Sequence, residues 1–433
     1  MQKSRVAVIG GAVAGLASMG PLVEEGHEVV AFEKSGDVVG TWATAYDSVM
    51  LLSAKSVTGF KNYPMPDDVP VYPSGEDYRR YVRDYAERSG LKDLIRFHTE
   101  VLRATPLDGG SAGWDLELSD GTTEHFDAVV VATGHLRTPV KPTVPGSFDG
   151  VQLHTSEYRN AADFADGPVV VVGTGNSGCD MVTDAIGAGH KAYMVIRTPT
   201  WFIPPSLWGR PRGDLPFLAQ APGTIGAQLQ RFIMIAANGE PADYGFPQPS
   251  EIDWDWNPPT ISTLIPYWAQ RGRVVPKPTI ERFDGNTVHF TDGTSVEAGT
   301  VIWATGYRTQ LEFFEPGLLS WDKGQPARII GSIASADLDN LYFTGFAAAR
   351  GGAPKNYGRG AETLAKLVTA RRGLSAPLKD TLFPGEVPEG KNDWLLAGWI
   401  AELERIEAVL ESAPATADEL AAEFVRESES VVR

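Results

Sequence analysis

The chain has 433 residues, of which 42% are hydrophobic and 21% charged, a composition typical of a globular protein with two or three domains. Its 55 acidic and 38 basic residues give a net charge of −17, which argues against a nucleic-acid partner because such a partner requires a basic surface. No apolar run approaches the roughly 20 residues that span a bilayer, and the start lacks a signal-peptide pattern, so we expect a cytoplasmic protein without membrane association.

The first elements predicted are a strand, a glycine turn and a helix. Val6–Ile9 is wholly apolar, as a buried parallel strand is, and the helical run after it reaches about Glu25. Pro21 lies inside that run and is expected to kink it. The pattern then predicts these elements: strand Glu28–Phe32, amphipathic helix Glu76–Ser89, and strands Ile95–Val101, Trp114–Leu118 and Phe126–Val131.

The same pattern returns roughly 160 residues later, which indicates an internal repeat. Pro168–Val172 predicts a strand, a glycine turn follows, and a helix begins near Asp180. The single cysteine, Cys179, excludes an internal disulfide, a dithiol redox pair and a cysteine-ligated metal site, and we interpret it as a packing residue. Later predicted elements are strand Ala192–Ile196, helix Thr224–Ala237, strands Arg273–Val275, Thr287–Phe290, Thr300–Trp303 and Leu341–Thr344, and helix Asn392–Leu410.

The first glycine loop, Gly10–Gly15, reads GGAVAG between a strand and a helix, the context of a dinucleotide-binding fingerprint. The helix N-terminus there offers unpaired N–H groups to a pyrophosphate. Ala12 replaces the middle glycine, and we expect its methyl group to weaken binding. Glu33, at the end of the next strand, is predicted to accept hydrogen bonds from the ribose hydroxyls. The predicted contacts in the loop are Gly10, Ala12, Ala14 and Gly15.

The second glycine loop, Gly173–Gly178, reads GTGNSG and keeps all three glycines. The matching strand end carries Arg197 where an acid would select NADH. A cation there suits a 2′-phosphate, so this loop is predicted to bind NADPH. The predicted contacts in this loop are Gly173, Gly175, Asn176, Ser177 and Gly178.

The segment between the two loops carries a specific motif. Phe148–Tyr158 fits F-x-G-x-x-x-H-x-x-x-[FY], and on this motif the chain resembles the class B flavin-containing monooxygenases. FEKSGDVVGTW at Phe32–Trp42 resembles the family's ribose-binding strand and GGxW turn, with Val39 in place of the first glycine. Three further matches are the two ATG crossings at Ala132–His135 and Ala304–Tyr307 and the flavin-contacting strand LYFTGF at Leu341–Phe346.

The resemblance implies an α/β fold with two Rossmann-like domains, the second inserted in the first. FAD would bind residues 1–160 and 295–433, the latter including a C-terminal helix. NADPH would bind 161–294, which contains an aromatic-rich insertion at 201–259. The further cofactor contacts implied are Lys34, Gly40, Thr41, Trp42, Val101, Thr133, Gly134, Thr305, Gly306, Tyr307 and Gly345.

The resemblance also implies an activity. NADPH reduces FAD, the flavin captures O₂ as a C4a-hydroperoxide, and one oxygen atom passes to the nitrogen or sulfur of a small apolar or aromatic substrate. Leu51–Lys55 lacks the asparagine of mammalian-type members and is more similar to the plant auxin-forming branch, which decarboxylates an indole-bearing 2-oxo acid. Decarboxylating or Baeyer–Villiger oxidation of a carbonyl therefore stays open, although Tyr158 stands where the typical Baeyer–Villiger signature has tryptophan. A non-oxygenating NADPH-binding flavoprotein is a third alternative.

Few side chains are predicted to take part in the chemistry itself, because a flavin oxygenase mainly needs shielding and positioning. The sequence shows no Ser-His-Asp set and no metal cluster. His154 is interpreted as ordering the linker against the second loop, and Lys55 and Asn356 are candidates for positioning. Lys355, Asn356 and Arg359 are predicted near the flavin ring. The aromatic residues of 201–259 either line a substrate pocket or pack the insertion, and a homodimer is left open.

Overall fold

The computed structural model describes residues 3–215, 223–250, 258–346, 348–349, 352–388, 393–394 and 396–412. Two sheets rich in parallel strands form its centre, and each packs helices on one face and a small antiparallel sheet on the other. The helices in the described residues are Val13–Glu24, Lys55–Thr58, Gly75–Arg88, Asn176–Gly187, Gly223–Asn238, Leu264–Gln270, Ala353–Arg372, Leu378–Thr381 and Leu396–Ser412. Within that part of the chain, no helix is long and apolar enough to cross a bilayer.

The first sheet has seven strands, and five adjacent strands, from Leu341–Phe343 to Ile95–Arg96, run parallel to one another. Val6 and Val8 face one hydrophobic cluster and Ala7 and Ile9 face the other, so the sheet is buried on both sides, as its apolar strands predict. The strand order is Arg328–Ile329, Ala334–Ser335, Leu341–Phe343, Ala128–Val131, Arg5–Ile9, Glu28–Phe32 and Ile95–Arg96.

A three-stranded antiparallel sheet packs on the first sheet and corrects two predicted strands. Its strands are Val101–Pro106, Trp114–Leu118 and Thr123–Phe126. The predicted strand Ile95–Val101 is broken near His98, whose backbone has a positive φ of 53°. The predicted strand Phe126–Val131 is broken at Asp127, where the chain passes from the antiparallel sheet into the first sheet. The Asp127 carboxylate accepts a hydrogen bond from Arg5 N at 2.6 Å.

The second sheet is parallel throughout and confirms the predicted repeat. It extends beyond the predicted range 161–294 at both ends, because Val151–His154 of the linker pairs with Thr300–Trp303. The strand order is Val274–Lys277, Ala192–Val195, Val169–Val172, Thr300–Trp303 and Val151–His154. Ile280–Asp284, Thr287–Phe290 and Ser295–Glu297 form an antiparallel sheet against its other face.

Short strand pairs complete the described structure. The pairs are Phe202–Ile203 with Thr260–Ile261, Ser206–Leu207 with Arg210–Pro211, Thr138–Pro139 with Tyr307–Arg308, Trp321–Asp322 with Gln325–Pro326, and Ala348–Ala349 with Asp393–Trp394. The first helix continues to Glu24, three residues past Pro21. The 20-residue helix Ala353–Arg372, which packs against the first helix, is not among the predicted elements.

Candidate functional site

One cleft of about 1570 Å³ brings parts of both glycine loops together. It is bounded by the carboxyl ends of the first sheet, the start of helix Asn176–Gly187 and the start of helix Ala353–Arg372. The predicted site residues that line it are Gly10, Ala12, Ala14, Glu33, Lys34, Gly40, Thr41, Trp42, Val101, Thr133, Gly134, Asn176, Ser177, Tyr307 and Gly345. The predicted residues outside this lining are Gly15, Lys55, Gly173, Gly175, Gly178, Arg197, Thr305, Gly306 and Asn356.

The first glycine loop has the geometry of a phosphate-binding turn. Gly10 has a φ of +106°, and a Cβ there would lie 2.8 Å from the carbonyl oxygen of Ala132. A Cβ on Gly15 would lie 2.0 Å from the carbonyl oxygen of Gly10, so only glycine lets the helix approach the strand. The helix begins at Val13 with no side-chain cap from Ala12. Its first N–H groups are therefore left for a ligand such as a pyrophosphate.

The second glycine loop repeats this geometry. Gly173 has a φ of +119°, and its Cβ would lie 2.4 Å from the carbonyl oxygen of Ala304. A Cβ on Gly178 would lie 2.3 Å from the carbonyl oxygen of Gly173. Gly175 is exposed, has no neighbour within 4 Å of a built Cβ, and precedes the helix without a side-chain cap. The loop therefore presents open backbone at a helix N-terminus.

Ala12, the departure from the fingerprint, has a specific neighbour. A Cβ built on Gly40 would lie 2.7 Å from the Ala12 methyl group, so this methyl group packs against the turn at Gly40. A Cβ built on Gly345 would likewise lie 2.7 Å from the Ala14 methyl group. The two small-residue contacts position neighbouring turns against the first helix. That the Ala12 methyl group weakens dinucleotide binding stays a prediction.

Glu33 is held at the edge of the cleft. It is 8% exposed, and its two carboxylate oxygens accept hydrogen bonds from Gly11 N at 3.0 Å and Ser35 N at 2.9 Å. Each oxygen keeps a second lone pair that a ribose hydroxyl can use. Lys34 beside it is exposed and also lines the cleft. The carboxylate is thus fixed before any ligand arrives.

Thr133 shows that the cleft suits a bound polar ligand. Its hydroxyl is buried and has no hydrogen-bond partner in the part of the chain that the structure describes. A buried hydroxyl left unpaired costs about 1–3 kcal/mol, and a ligand in the cleft could remove this cost. Together with the two glycine loops and Glu33, this residue fits a flavin dinucleotide at the first loop.

Arg197 is the predicted selector of a 2′-phosphate, and this function stays a prediction. It follows the end of strand Ala192–Val195 and is exposed. Its side chain makes no hydrogen bond or ion pair with any residue inside the described ranges. The guanidinium is therefore available to a phosphate near the second loop, and a 2′-phosphate there would gain a bidentate partner.

A network of two carboxylates joins the two halves of the molecule. Asp180 Oδ2 accepts a hydrogen bond from Tyr46 OH at 2.5 Å, and Asp184 Oδ2 accepts from Ser48 Oγ at 2.5 Å and Tyr158 OH at 2.9 Å. Burial, with a smaller contribution from the charge of Asp184, raises the pKa of Asp180 to about 6, and the Tyr46 hydrogen bond opposes this rise. Sequence reasoning missed these residues; four-residue spacing of the two acids on one helix is the signal that could have found them.

His154 links the motif segment to the second ATG crossing. Its side chain is fully buried, its Nδ1 accepts a hydrogen bond from Ser156 N at 3.1 Å, and its Nε2 then donates to the carbonyl oxygen of Gly306 at 3.0 Å. Burial lowers the pKa of His154, and the Gly306 hydrogen bond only partly offsets this. Val140 N also donates to Gly306, and the hydroxyl of Thr305 donates to Val140. These contacts support the interpretation of His154 as an ordering residue.

We expect His154→Phe to lower the free energy of unfolding by about 1–3 kcal/mol at pH 8, because Ser156 N loses its acceptor and the carbonyl oxygen of Gly306 loses one of its two donors. Because the pKa of His154 is lowered in the folded state, the unfolded state binds more protons below the ordinary histidine pKa of about 6.5. The wild type therefore loses this part of its stability as the pH falls. Urea unfolding at several pH values should show the difference between the two proteins shrinking below about pH 6.5.

His289→Phe, in a strand of the antiparallel sheet beside the second sheet, is the control for exchanging a histidine for phenylalanine. It should not reproduce the loss of stability at pH 8. If the difference in unfolding free energy between the wild type and His154→Phe grew at acid pH, the interpretation of His154 as a neutral, hydrogen-bonded histidine would be wrong.

The structure gives Lys55 a task other than the predicted positioning of a substrate. Its ammonium group donates hydrogen bonds to the carbonyl oxygens of Pro66, Asp67 and Val69 at 3.1, 3.0 and 2.6 Å. All three protons are thus used to hold one surface loop. The side chain does not line the cleft, so the prediction for Lys55 is corrected.

The predicted flavin contacts on the late helix are also corrected. Arg359 donates to Glu407 Oε1 at 2.6 Å and so joins this helix to the C-terminal helix, and Lys355 is exposed. Asn356 is 7% exposed and lies outside the cleft lining. Pro354 and Tyr357 line the cleft instead, because the N-terminus of the helix, and not its middle, reaches it.

None of the described aromatic residues of the insertion lines the cleft, and most of them are buried. Four are buried, and Trp208 and Phe232 are exposed. The buried four are Trp201, Phe202, Tyr244 and Phe246. The insertion contributes proline, isoleucine and arginine side chains and the backbone of Gly213 to the cleft. Phe217, Trp254 and Trp256 lie outside the described residues. Cys179 is buried beside the second loop, which confirms its interpretation as a packing residue.

Comparisons with known proteins identify the family of this chain. The profile of the family described as flavin-binding monooxygenase-like matches residues 3–329. Flavin-containing monooxygenase 1 of Sus scrofa is 30% identical over 348 residues, and the match covers 74% of this chain and 65% of that protein. Flavin-containing monooxygenase 3 of Canis lupus familiaris is 30% identical over 345 residues, covering 73% and 64%. The chain thus spans less than two thirds of these relatives.

Two solved structures share the fold. A flavin-containing monooxygenase from Stenotrophomonas maltophilia superimposes with a TM-score of 0.67 at 21% identity, covering 86% of this chain and 99% of that one. A cyclohexanone monooxygenase variant from Rhodococcus sp. Phi1, bound to NADP⁺, gives a TM-score of 0.68 at 17% identity, covering 95% and 98%. The family's cofactors are FAD and NADPH, and the two glycine loops fit them. The chain belongs to the flavin-binding monooxygenase-like family.

Proposed function

We propose that this protein is an FAD- and NADPH-dependent monooxygenase that inserts one atom of O₂ into a small organic substrate. The observation that carries the proposal is that a single cleft is lined by Gly10 of the first loop and Ser177 of the second. Two dinucleotides held at these loops would extend into one shared space, which an enzyme that transfers hydride between them needs. A cytoplasmic location and a homodimer remain predictions.

The chain's own residues would bind, orient and shield. Bound FAD would supply the oxygen chemistry. The two loops would hold the pyrophosphates, Glu33 would orient one ribose, and Arg197 would select NADPH. Trp42 and Tyr78 line the cleft as a ring pair with centroids 4.7 Å apart. Apolar and aromatic walls exclude water from the reacting groups, which limits loss of oxygen as peroxide.

Nitrogen or sulfur is the proposed site of oxygenation, on the resemblance to the flavin-containing monooxygenases. Oxidation of a carbonyl substrate, with or without decarboxylation, is the second candidate. The observation that favours it is that Leu51 and Leu52 both line the cleft where mammalian-type members carry an asparagine. The two leucines offer no amide to hold a ligand at this point. The cleft therefore does not favour oxygenation of nitrogen or sulfur over oxidation of a carbonyl substrate.

Incorporation of ¹⁸O tests the proposal. The FAD-loaded enzyme is supplied with NADPH and ¹⁸O₂ and offered amines, thioethers, ketones and 2-oxo acids in turn. We expect one ¹⁸O atom in the organic product of one class, with product formed in proportion to NADPH consumed. Product from thioethers or amines would support the first candidate, and product from ketones or 2-oxo acids the second. NADPH consumption matched by hydrogen peroxide with every class would instead indicate a non-oxygenating flavoprotein.

A further inference from the structure

A cation on the insertion faces the cleft. The hairpin formed by Ser206–Leu207 and Arg210–Pro211 carries Arg212 to the cleft wall, next to Gly213. Arg210 on the same hairpin is exposed and lies outside the cleft lining. This part of the insertion therefore presents Arg212 to the cleft and Arg210 to solvent.

The backbone at Arg212 is held in place from three sides. Its N–H donates to the carbonyl oxygen of Pro205 at 3.0 Å, and Tyr72 OH donates to the same oxygen at 2.7 Å. Gly213 packs against Val57, since a Cβ built there would lie 3.2 Å from that side chain. Such contacts fix where the guanidinium can reach before a ligand binds, and preorganisation of this kind lowers the cost of binding.

The guanidinium of Arg212 has no partner of opposite charge among the described residues. It makes no hydrogen bond or ion pair with them, and the closest acid along the chain, Asp214, instead accepts a hydrogen bond from Ser56 Oγ at 2.6 Å. The side chain is only partly exposed, and this burial lowers its pKa, with Tyr72 as a minor opposing influence. Arginines shielded from water usually pair with an acid, so this one is available to an anion.

The surroundings of Arg212 define the shape of that anion. Pro205 and Val57 contact the chain at Arg212 and Gly213, and these two residues and Ile203 are apolar and line the cleft. The acids nearer the glycine loops already have partners, as Glu33 does in the backbone and Asp180 does in Tyr46. Arg212 beside these apolar side chains suits a ligand with an apolar body and one anionic end.

We propose that Arg212 binds the carboxylate of the substrate, so that this enzyme acts on an organic acid with an apolar body. The identification of the bound anion as a substrate rests on the proposed function, whereas the anion site itself does not depend on oxygenation. The other anions that could reach this cation are the phosphates of NADPH. The substrate carboxylate and the NADPH phosphates are both oxyanions that an arginine can bind, and binding measurements distinguish them.

Ligand binding to the FAD-loaded protein is measured by calorimetry with phenylacetate, indole-3-acetate and the corresponding neutral amides. We expect the wild type to bind at least one carboxylate more tightly than its amide. Arg212→Gln should weaken carboxylate binding about tenfold or more and leave amide binding unchanged, because a charge-assisted hydrogen bond is lost. Arg212→Lys should recover part of the affinity. Arg210→Gln is the matched control and should change neither ligand.

Three results would overturn the inference. Equal binding of acid and amide, or no carboxylate binding, by the wild type would show that no anion anchor exists. Equal weakening of both ligands in Arg212→Gln would indicate a structural role for the arginine. A loss of NADP⁺ affinity with unchanged carboxylate binding would assign the cation to the dinucleotide phosphates. If carboxylate binding depended on Arg212 but no substrate class incorporated ¹⁸O, the proposed function would be wrong and the anion site would still be supported.

Discussion

Arg197→Ala is expected to raise the Michaelis constant for NADPH about 30-fold and to leave that for NADH nearly unchanged, because only NADPH carries a 2′-phosphate for this cation. The guanidinium is exposed at the end of strand Ala192–Val195 and has no partner among the described residues. Its removal should therefore cost the folded protein little. Steady-state kinetics with both nucleotides, and equilibrium titration with NADP⁺ and NAD⁺, measure the effect.

Lys191→Ala is the matched control, because Lys191 precedes the same strand at its opposite end and is also exposed. It removes the same charge from the same domain and should leave both Michaelis constants within about twofold, since distant surface charges are screened by salt. If Arg197→Ala affected NADPH and NADH equally, or if Lys191→Ala matched it, the assignment of the 2′-phosphate to Arg197 would be wrong.

The features that the sequence predicts well are local. Each glycine loop combines a strand, a turn and a helix within a few residues, and the steric reasons for Gly15 and Gly178 lie in neighbouring backbone. For the same reason the apolar strands and the repeat could be identified without a structure. Glu33 and Arg197 each follow the strand that pairs with the strand ahead of a glycine loop, Glu33 in the first sheet and Arg197 in the second, so their positions could be inferred from spacing.

The features that escaped prediction depend on distant parts of the chain. The helix Ala353–Arg372 has Pro354 in its first turn and contains two glycines, Gly358 and Gly360, which lower its helix propensity. Tertiary contact with the first helix stabilises it. Tyr46 and Asp180 are 134 residues apart and meet only because the two halves pack together. The functions predicted for Lys55 and Arg359 failed because chain order alone does not show which way a side chain points. Arg212 was missed because its cleft position depends on a hairpin inside an irregular insertion.

Gly15→Ala is expected to abolish FAD binding and to lower the free energy of unfolding by about 3 kcal/mol, because the added methyl group cannot be accommodated without moving the helix. Its Cβ would lie 2.0 Å from the carbonyl oxygen of Gly10, which is backbone and cannot rotate away. The movement would displace the helix N-terminus from the position where it meets the pyrophosphate. Urea unfolding and the flavin content of the purified protein measure the two effects.

Gly20→Ala separates this steric effect from the general effect of a glycine-to-alanine exchange, because Gly20 lies in the same helix with nothing within 4 Å of a built Cβ. It should raise stability by up to about 1 kcal/mol through helix propensity and keep the flavin. Added FAD should raise the unfolding free energy of Gly20→Ala and of the wild type by mass action, but not that of Gly15→Ala. Normal flavin content in Gly15→Ala would show that the first loop does not hold the dinucleotide, since no other position in it is so tightly enclosed by backbone.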